Sequence, residues 1–366
     1  MISLTPTDEQ QMLVDAVNRY SCNEVRPIAH HADESGELPE AVVRTGWEIG
    51  ILPGSIPESM GGFGESLSAL TNVLAYEELA YGDLALALRL MTPATVALPL
   101  VLAGTDAQRD EWLPLFLDET PPPVTSALIE RSIRFDPTHP QTVAARENGS
   151  YVLNGQKMYV PLAENAALLL VYAWNAEAGQ VDGFLVPGDA DGVQVGPREK
   201  LMGVRALPTY SLTLDNVRVA AGQRLGGENG LDFERLLARS QVALGALAVG
   251  VMRGALEYAI TYAKEREQFG TPIATKQAIA FMLAECAIEI DAARLMVWEA
   301  AWKLDQGEDA RREAYLARQY TDKAALLVAD SAVQTLGGHG YIREHPVERW
   351  LRNARGFSTF DGLAMV

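Results

Sequence analysis

Long hydrophobic runs and cysteine are scarce in this sequence, and each scarcity excludes a class of protein. No stretch approaches the ~18 consecutive apolar residues of a membrane-spanning helix, so no membrane span is expected. The first residues carry neither a basic nor an apolar segment, and no signal peptide is expected. The two cysteines, Cys22 and Cys286, lie far apart. This pattern is typical of a reducing compartment, and we expect a cytoplasmic protein without a disulfide framework.

Positive charge is also scarce. The chain has 30 Lys and Arg residues against 48 Asp and Glu residues, and its formal net charge is −18 at pH 7. A negative field of this size repels nucleic acid and anionic membrane surfaces, so neither is expected as a partner. Neither cysteine has a second cysteine or a histidine at the spacing of zinc ligands, and no metal site is predicted.

The first part of the chain, residues 1–120, has the pattern of a helical domain. Thr7 precedes a first turn rich in Asp, Glu and Gln, which predicts a helix start. Residues 56–64 contain two features that interrupt helices, a proline and three glycines. An apolar pattern then predicts one long helix from about residue 66 to residue 90. A shorter helix is predicted to open at Thr92-Pro93.

The middle of the chain, residues 121–225, changes to the pattern of an antiparallel β domain. Short β-branched, aliphatic and aromatic runs alternate with Gly, Asn and Asp. From residue 230 to residue 366 the pattern is helical again, and long amphipathic stretches joined by short loops predict an antiparallel bundle. The predicted fold class is therefore α+β and multidomain. It comprises an N-terminal helical domain, a central antiparallel β domain and a C-terminal four-helix-type bundle.

The most distinctive motifs lie at the ends of the helical patterns in the last domain. Residues 266–272 read Arg-Glu-Gln-Phe-Gly-Thr-Pro, and residues 334–341 read Gln-Thr-Leu-Gly-Gly-His-Gly-Tyr. Glu348-Arg349 follows shortly after, and Phe360-Asp361 precedes Gly362. A carboxylate beside a glycine is by itself typical of a turn. The interpretation of Asp361 therefore depends on the motifs that precede it.

The order of the domains and motifs resembles the acyl-CoA dehydrogenase family over the whole chain. Other stretches that look like family motifs are residues 33–39, 57–64, 76–80, 153–157, 202–205 and 215–219. The resemblance implies a homotetramer or dimer that binds FAD between the β domain and the bundle. It also implies α,β-desaturation of an acyl-CoA or acyl-carrier thioester. In that reaction a carboxylate removes the α-proton, the β-hydrogen leaves as hydride to the flavin N5, and electrons pass to an electron-transfer flavoprotein.

Two carboxylates are candidates for the base that the resemblance implies. Asp361 occupies the position of the family's most common catalytic glutamate. Its side chain is one methylene shorter, and a misplacement of roughly an ångström can cost about a hundredfold in rate. Glu234 matches the position of the base in the isovaleryl and long-chain branches, although a helix start also favours a glutamate electrostatically. Arg235 matches a family arginine near the catalytic centre and is a candidate substrate-binding residue.

The bundle carries residues that match the family's contacts to FAD. Arg266 suits a pyrophosphate because its planar guanidinium can donate two hydrogen bonds at once. Gly337 and Gly338 let the backbone approach a ligand, although a Gly-Gly pair is also typical of a helix C-cap. In the family these residues reach the FAD of the neighbouring subunit. The full candidate set is Arg266, Gln268, Phe269, Gln334, Gly337 and Gly338.

Positions that touch the flavin or the substrate thioester in the family depart from its pattern. The departures are Ile129, Arg134, Phe135, Pro161, Leu363 and Met365. Ile129, Pro161 and Leu363 stand where the family has hydroxyl groups, and each lost hydrogen bond is worth about 0.5–1.5 kcal/mol. Two alternatives to a dehydrogenase therefore stay open. One is a flavin oxidase or monooxygenase on the same fold, and the other is a non-catalytic subunit of a hetero-oligomer with a paralogue.

Overall fold

A computed structural model describes residues 5–366. The chain begins with helices α1 (Asp8–Tyr20), α2 (Arg26–Ser35), α3 (Glu40–Glu48), α4 (Ala69–Gly82), α5 (Leu84–Met91), α6 (Ala94–Ala103) and α7 (Asp106–Trp112). Helix α1 starts where the sequence predicts. The Thr7 hydroxyl accepts from the Gln10 amide, and the Gln10 side chain accepts from the Thr7 amide in return. This capping box satisfies two amides that the helix leaves free.

The single helix predicted over residues 66–90 is wrong, because the chain breaks at Asp83. The backbone of Asp83 is extended, and its carboxylate accepts from the amides of Ala85 and Leu86 at 2.9 and 3.1 Å. Asp83 therefore ends α4 and caps α5. Its buried carboxylate lies 3.6 Å from the Arg349 guanidinium. Helical periodicity could not show the break, because both helices are almost completely buried and apolar residues occur on every side of each helix.

Seven strands form the sheet of the middle domain. They are β1 (Val124–Ala127), β2 (Val143–Glu147), β3 (Ser150–Pro161), β4 (Leu168–Asn175), β5 (Gln180–Pro187), β6 (Val193–Arg198) and β7 (Thr209–Ala220). Most pairings are antiparallel, as predicted, but β4 pairs in parallel with both β1 and β2. Parallel partners need long connections, so local turn signals do not reveal them. Side chains of β4 alternate between the helical core and a second, smaller core.

The last domain is a helical bundle. It contains α8 (Phe233–Glu265), the two-residue strands β8 (Glu267–Gln268) and β9 (Thr271–Pro272), α9 (Gln277–Asp305), α10 (Arg311–Leu336), α11 (Gly338–Tyr341) and α12 (Val347–Ala354). By length and composition alone, α8 could cross a membrane, as could α5 and α6 taken as one bent span. In α8, however, 78% of the most apolar window is buried inside the protein. Its contacts with α4, α9 and α10 make it the central helix of the core.

Buried ion pairs join the first helical segment to the bundle. Glu77 and Glu78 of α4 are both nearly inaccessible to solvent. Arg294 of α9 lies 2.7 Å from Glu77, and Arg253 of α8 lies 2.5 Å from Glu78. Asp33 of α2 pairs with Arg352 of α12 at 2.6 Å. These contacts hold α4 against α8 and α9 and hold α2 against α12, and the candidate site lies beside α8.

Candidate active site

Asp361 follows a short 3-10 turn, residues 357–359, beyond α12. Its side chain is 28% exposed, and its Oδ1 atom lies 3.7 Å from Nη2 of the buried Arg318 on α10. Burial raises the pKa of Asp361, and the positive charge of Arg318 opposes that effect without cancelling it. Arg318 is itself held by the carbonyl of Phe357 and the carboxylate of Asp322. A positioned carboxylate with a raised pKa has the properties of a general base.

The residues after Asp361 turn into the protein interior. Gly362 has φ of 79°, and a side chain at this position would collide with Leu128. The Gly362 amide donates to the Ser240 hydroxyl on α8 at 3.0 Å, and the Gly362 carbonyl accepts from Ser126 on β1 at 3.3 Å. Asp361 is therefore fixed between α8, α10 and β1.

Glu234 and Arg235 occupy the exposed first turn of α8. Glu234 is 58% exposed and pairs with Arg311 at 2.8 Å. The Arg235 side chain reaches only the carbonyl of Gly307, at 3.5 Å. No hydrogen bond or ion pair joins either residue to Asp361 in the part of the chain that the structure describes.

Arg239 and Ser240, one turn further along α8, lie in the interior, and sequence reasoning missed both. They are 5% and 1% exposed, and both contact the segment that follows Asp361. The available signal was an Arg-Ser pair immediately before a long apolar stretch on the buried face of the helix.

All six FAD candidates of the bundle line one pocket of about 420 Å³. Its lining residues include Arg266, Gln268, Phe269, Gln334, Gly337 and Gly338 together with Lys276 and His339. Within residues 5–366, the side chains of Arg266, Gln268 and Gln334 have no polar partner and remain free to donate. A Cβ atom on either glycine would meet no atom within 4 Å, so the backbone there faces open space. Free donors and an accessible backbone fit a diphosphate.

Phe269 marks the rim of this pocket. It lies in the turn between β8 and β9, has φ of 57° and is 93% exposed. The Lys276 ammonium is 5.9 Å from the centre of its ring. A large exposed aromatic side chain beside free donors is typical of a surface that binds a partner or a ligand.

The β-domain residues expected near the flavin are mostly apolar. Ile129 is 7% exposed, and Pro161 is buried at the end of β3. Tyr159 has φ of 53° and lines a pocket of about 260 Å³ that reaches Phe360, the residue before Asp361. Arg134 is exposed to solvent. Among the described residues, no cluster of three or more His, Cys, Asp or Glu could hold a metal ion.

Family models match most of the chain. The models for the acyl-CoA dehydrogenase N-terminal, middle and C-terminal domains match residues 7–120, 125–217 and 230–365. The chain belongs to the acyl-CoA dehydrogenase family. Family membership and the named relatives make this acyl-CoA dehydrogenase homologue an oxidoreductase.

Individual proteins agree with this assignment. Benzylmalonyl-CoA dehydrogenase of Aromatoleum aromaticum is 34% identical, with 95% of this chain and 93% of that protein covered. The solved butyryl-CoA dehydrogenase of Megasphaera elsdenii has a TM-score of 0.90 and 29% identity, with 99% and 96% covered. A solved FAD complex of PigA has a TM-score of 0.90 and 25% identity, with 99% of this chain and 96% of that chain covered.

Proposed function

We propose that this acyl-CoA dehydrogenase homologue uses FAD to desaturate an acyl thioester at the α,β position, with Asp361 as the base. The observation that carries the proposal is the setting of Asp361, which is partly buried, has a raised pKa and lies at the position of the family's usual base. A carboxylate that has been partly desolvated is a better proton acceptor than one in water.

Asp361 would accept the α-proton of the thioester. Oδ1 of Asp361 forms an ion pair with Arg318 at 3.7 Å, which is too long for a hydrogen bond, and Oδ2, the other oxygen, has no polar partner among the described residues. That free oxygen is available to the substrate. Bound FAD would supply the acceptor for the hydride that leaves the β-carbon.

The residues that would hold FAD lie in two separate places. The pocket that contains Arg266 and Gln334 is lined entirely by the bundle and includes neither Asp361 nor any residue of the middle domain. We infer that one FAD uses the bundle pocket of one chain and the region around Asp361 of another. This separation supports an oligomer in which Arg266, Gln268, Phe269, Gln334, Gly337 and Gly338 act on the neighbouring chain's cofactor.

The proposal includes the partners that the family resemblance implies. The substrate is an acyl-CoA or an acyl-carrier thioester, and the electron acceptor is an electron-transfer flavoprotein. Reduction of the bound flavin by an acyl-CoA without air, followed by its reoxidation on adding an electron-transfer flavoprotein, would test both statements. Rapid reoxidation by air alone would instead favour a flavin oxidase.

The choice between the two candidate bases has a direct test. We expect Asp361→Asn to slow single-turnover flavin reduction by roughly 10²- to 10⁴-fold, the usual contribution of a positioned base. Glu234→Gln should keep the wild-type rate, because Glu234 is exposed and paired with Arg311. If Glu234→Gln loses its rate and Asp361→Asn keeps it, Glu234 is the base.

A second candidate function is a half-site subunit that completes the FAD site of a paralogue. The observation in its favour is the apolar character of Ile129 and Pro161 where the family has hydroxyls. An absorbance spectrum of the purified protein separates the two candidates. A yellow protein that an acyl-CoA bleaches supports the dehydrogenase, and a colourless protein supports the half-site subunit.

A further inference from the structure

Three neighbouring pockets form a groove on the surface between the β domain, α2 and α12. Their volumes are about 260, 390 and 520 Å³. All three are lined by Lys200 and Leu201, which belong to the loop between β6 and β7. Because the pockets share these side chains, they form one continuous surface, which we call the β6–β7 groove.

The β6–β7 groove is more positively charged than the composition of the chain predicts. Its exposed and partly exposed cationic lining residues are Arg131, Arg198, Lys200, Arg205, Arg352 and Arg355. Among the described residues, Glu199 is the one carboxylate that lines it, and the Tyr159 amide donates to that carboxylate at 3.2 Å. The whole chain has 30 Lys and Arg residues against 48 Asp and Glu residues. The groove is therefore a basic region on an acidic protein.

Two of these cations hold the groove in shape. The Arg198 guanidinium donates to the carbonyls of Gly36 and Arg205 at 2.6 and 2.8 Å. Arg352 of α12 donates to the carbonyl of Met202 at 2.7 Å. These bonds fix the loop between β6 and β7 against the end of α2 and against α12. The groove is therefore formed before any partner binds.

Three other cations of the groove have no partner. Arg131, Lys200 and Arg355 are exposed, and their side chains form no hydrogen bond or ion pair within residues 5–366. Asp33 offsets part of the charge of Arg205 and Arg352, but no described carboxylate pairs with these three. Unpaired cations around a fixed groove attract an anionic ligand or an anionic protein surface.

Met202 adds an apolar contact to this charged surface. Its side chain is 58% exposed and lines the same pocket as Lys200 and Arg355. Methionine and arginine are enriched in protein interfaces, where an apolar centre is usually surrounded by a polar rim. One exposed apolar side chain among many charges is typical of a small, transient interface such as that of an electron-transfer complex. A permanent interface between two copies of one chain is larger and more hydrophobic.

One end of the β6–β7 groove lies beside the candidate base. The pocket that contains Met202 is also lined by Thr359 and Phe360, the two residues before Asp361, but not by Asp361 itself. Phe360 is 4% exposed, and its ring packs against Gly356, where any side chain would collide with it. This ring blocks a thioester that enters from the groove, whereas electrons can cross a single side chain. The position therefore favours an electron acceptor over a substrate carrier.

We propose that the β6–β7 groove is the docking surface for the electron acceptor, and that the acceptor presents an acidic face to it. This inference rests on the proposed function, in which the reduced cofactor lies beside Asp361. Arg131, Lys200 and Arg355 attract the acidic face, and Met202 makes the central apolar contact. The acceptor takes two electrons and is reduced, FAD returns to its oxidised form, and the accompanying protons pass to water.

Charge reversal in the groove tests this inference. The FAD-loaded enzyme is reduced with stoichiometric dithionite without air and mixed with the electron-transfer flavoprotein of the same cells, and flavin reoxidation is followed. We expect Lys200→Glu/Arg355→Glu to lower the second-order rate constant about tenfold or more at low salt, and the difference should shrink at high salt. The control Arg312→Glu reverses an arginine that is 80% exposed on α10 and lines none of the three pockets. It should keep the wild-type rate.

Cross-linking locates the partner without any turnover. A carbodiimide joins an accessible lysine to a carboxylate that contacts it. Lys200, Lys264 and Lys323 are all exposed, but only Lys200 lines the groove, and we expect it alone to be linked to the acceptor. If no thioester reduces the flavin, but Lys200 is linked and the double variant slows reoxidation, the proposed reaction is wrong and the inference stands.

Other outcomes overturn the inference and leave the reaction standing. An unchanged reoxidation rate in the double variant, or links at Lys264 or Lys323 in place of Lys200, would do so. A raised half-saturating concentration for an acyl-CoA in flavin reduction, with normal reoxidation, would assign the groove to the phosphates of CoA. The same change confined to an acyl-carrier-protein thioester would assign it to that carrier, and loss of the native oligomer in sedimentation would assign it to a second copy. If the double variant does not fold, Lys200→Glu and the cross-link decide the matter.

Discussion

Asp361 and Arg318 show how two opposed effects set the properties of one side chain. Partial burial favours the neutral carboxyl group, whereas the guanidinium of Arg318 favours the carboxylate. Burial wins, and the pKa of Asp361 lies above its ordinary value. Arg318 also lies on the Oδ1 side of the carboxylate, at 3.7 Å, and its charge favours that orientation. Orientation matters more for an aspartate than for the family's glutamate, because the shorter side chain must be placed accurately to reach the substrate proton.

The pH dependence of flavin reduction should report this balance. Only the carboxylate form of Asp361 accepts a proton, so the rate should fall as pH falls through its pKa, at a pH above the ordinary aspartate value of 3.8. Arg318→Gln removes the charge that lowers this pKa, and the acid limb of the profile should move to higher pH. The exposed control Arg312→Gln should leave the limb in place. An unmoved limb in Arg318→Gln would mean that another group controls the profile.

At the scale of elements, a buried ion pair connects two parts of the β domain. Lys157 of β3 and Glu130, which follows β1, are almost inaccessible, and their charged atoms are 2.8 Å apart. Glu130 also accepts from the amides of Gln141 and Thr142, and Lys157 donates to the carbonyl of Leu128. Every charge is therefore matched by several partners. The pair fixes the backbone on both sides of Ile129, one of the positions that the family resemblance places near the flavin.

Breaking this pair should be costly. We expect Lys157→Met to lower the free energy of unfolding by about 3–5 kcal/mol, because it leaves Glu130 charged and unpaired in the interior. The double variant Lys157→Met with Glu130→Gln should lose less than the sum of the single changes. The control is Arg218→Met, which breaks an exposed pair with Glu147 and should cost at most about 1 kcal/mol. Urea unfolding measures all four variants, and similar losses for Arg218→Met and Lys157→Met would contradict the prediction.

At the scale of the whole molecule, the residues proposed to hold FAD form two separate groups. The bundle half has free donors and open backbone, whereas the β-domain half is apolar. An exposed apolar stripe on α9, formed by Phe281, Ile288 and Leu295, recurs every seventh residue, at intervals of two helical turns. Stripes of this kind are typical of an interface with another chain. An oligomer would bring complementary halves together.

Mixed oligomers test whether the halves act across chains. Arg266→Gln disables the bundle half, and Asp361→Asn disables the other half. In a mixed dimer one chain carries Arg266→Gln and the other carries Asp361→Asn. If each site combines Arg266 of one chain with Asp361 of the other, one of the two sites has both residues wild-type. If both residues come from the same chain, neither site does. We expect two weakly active variants to regain activity when co-expressed with excess FAD. The control is a cell that expresses two copies of the same variant. If the mixture recovers no activity, both residues act in the site of one chain.

The affinity of the isolated protein for FAD should be weak. Three family hydroxyls are replaced by Ile129, Pro161 and Leu363, and each lost hydrogen bond removes about 0.5–1.5 kcal/mol. FAD should therefore be retained better beside a paralogue with an intact β domain. Titration of the purified protein with FAD, followed by flavin fluorescence, measures this. Submicromolar binding of one flavin per subunit would rule out the partner-subunit alternative.

The sequence by itself determined the family, the order of helical, β and helical segments, and the group of bundle residues that share one pocket. These inferences succeeded because they rest on local signals. Periodicity, turn residues and short motifs act within about one element, and Arg266 to Phe269 and Gln334 to Gly338 are each continuous stretches. Local signals did not reveal the break between α4 and α5, because both helices are buried.

Only the tertiary structure decided which side chains contact Asp361 and the residues that follow it. Glu234 and Arg235 precede Arg239 and Ser240 by about one helical turn, and the direction of each side chain depends on how α8 packs against the other helices. Arg318, Arg239 and Tyr76 come from three helices that are distant in sequence. The parallel pairing of β4 with β1 and β2 has the same origin. Contacts between distant elements follow from the packing of the whole core, and no local pattern encodes them.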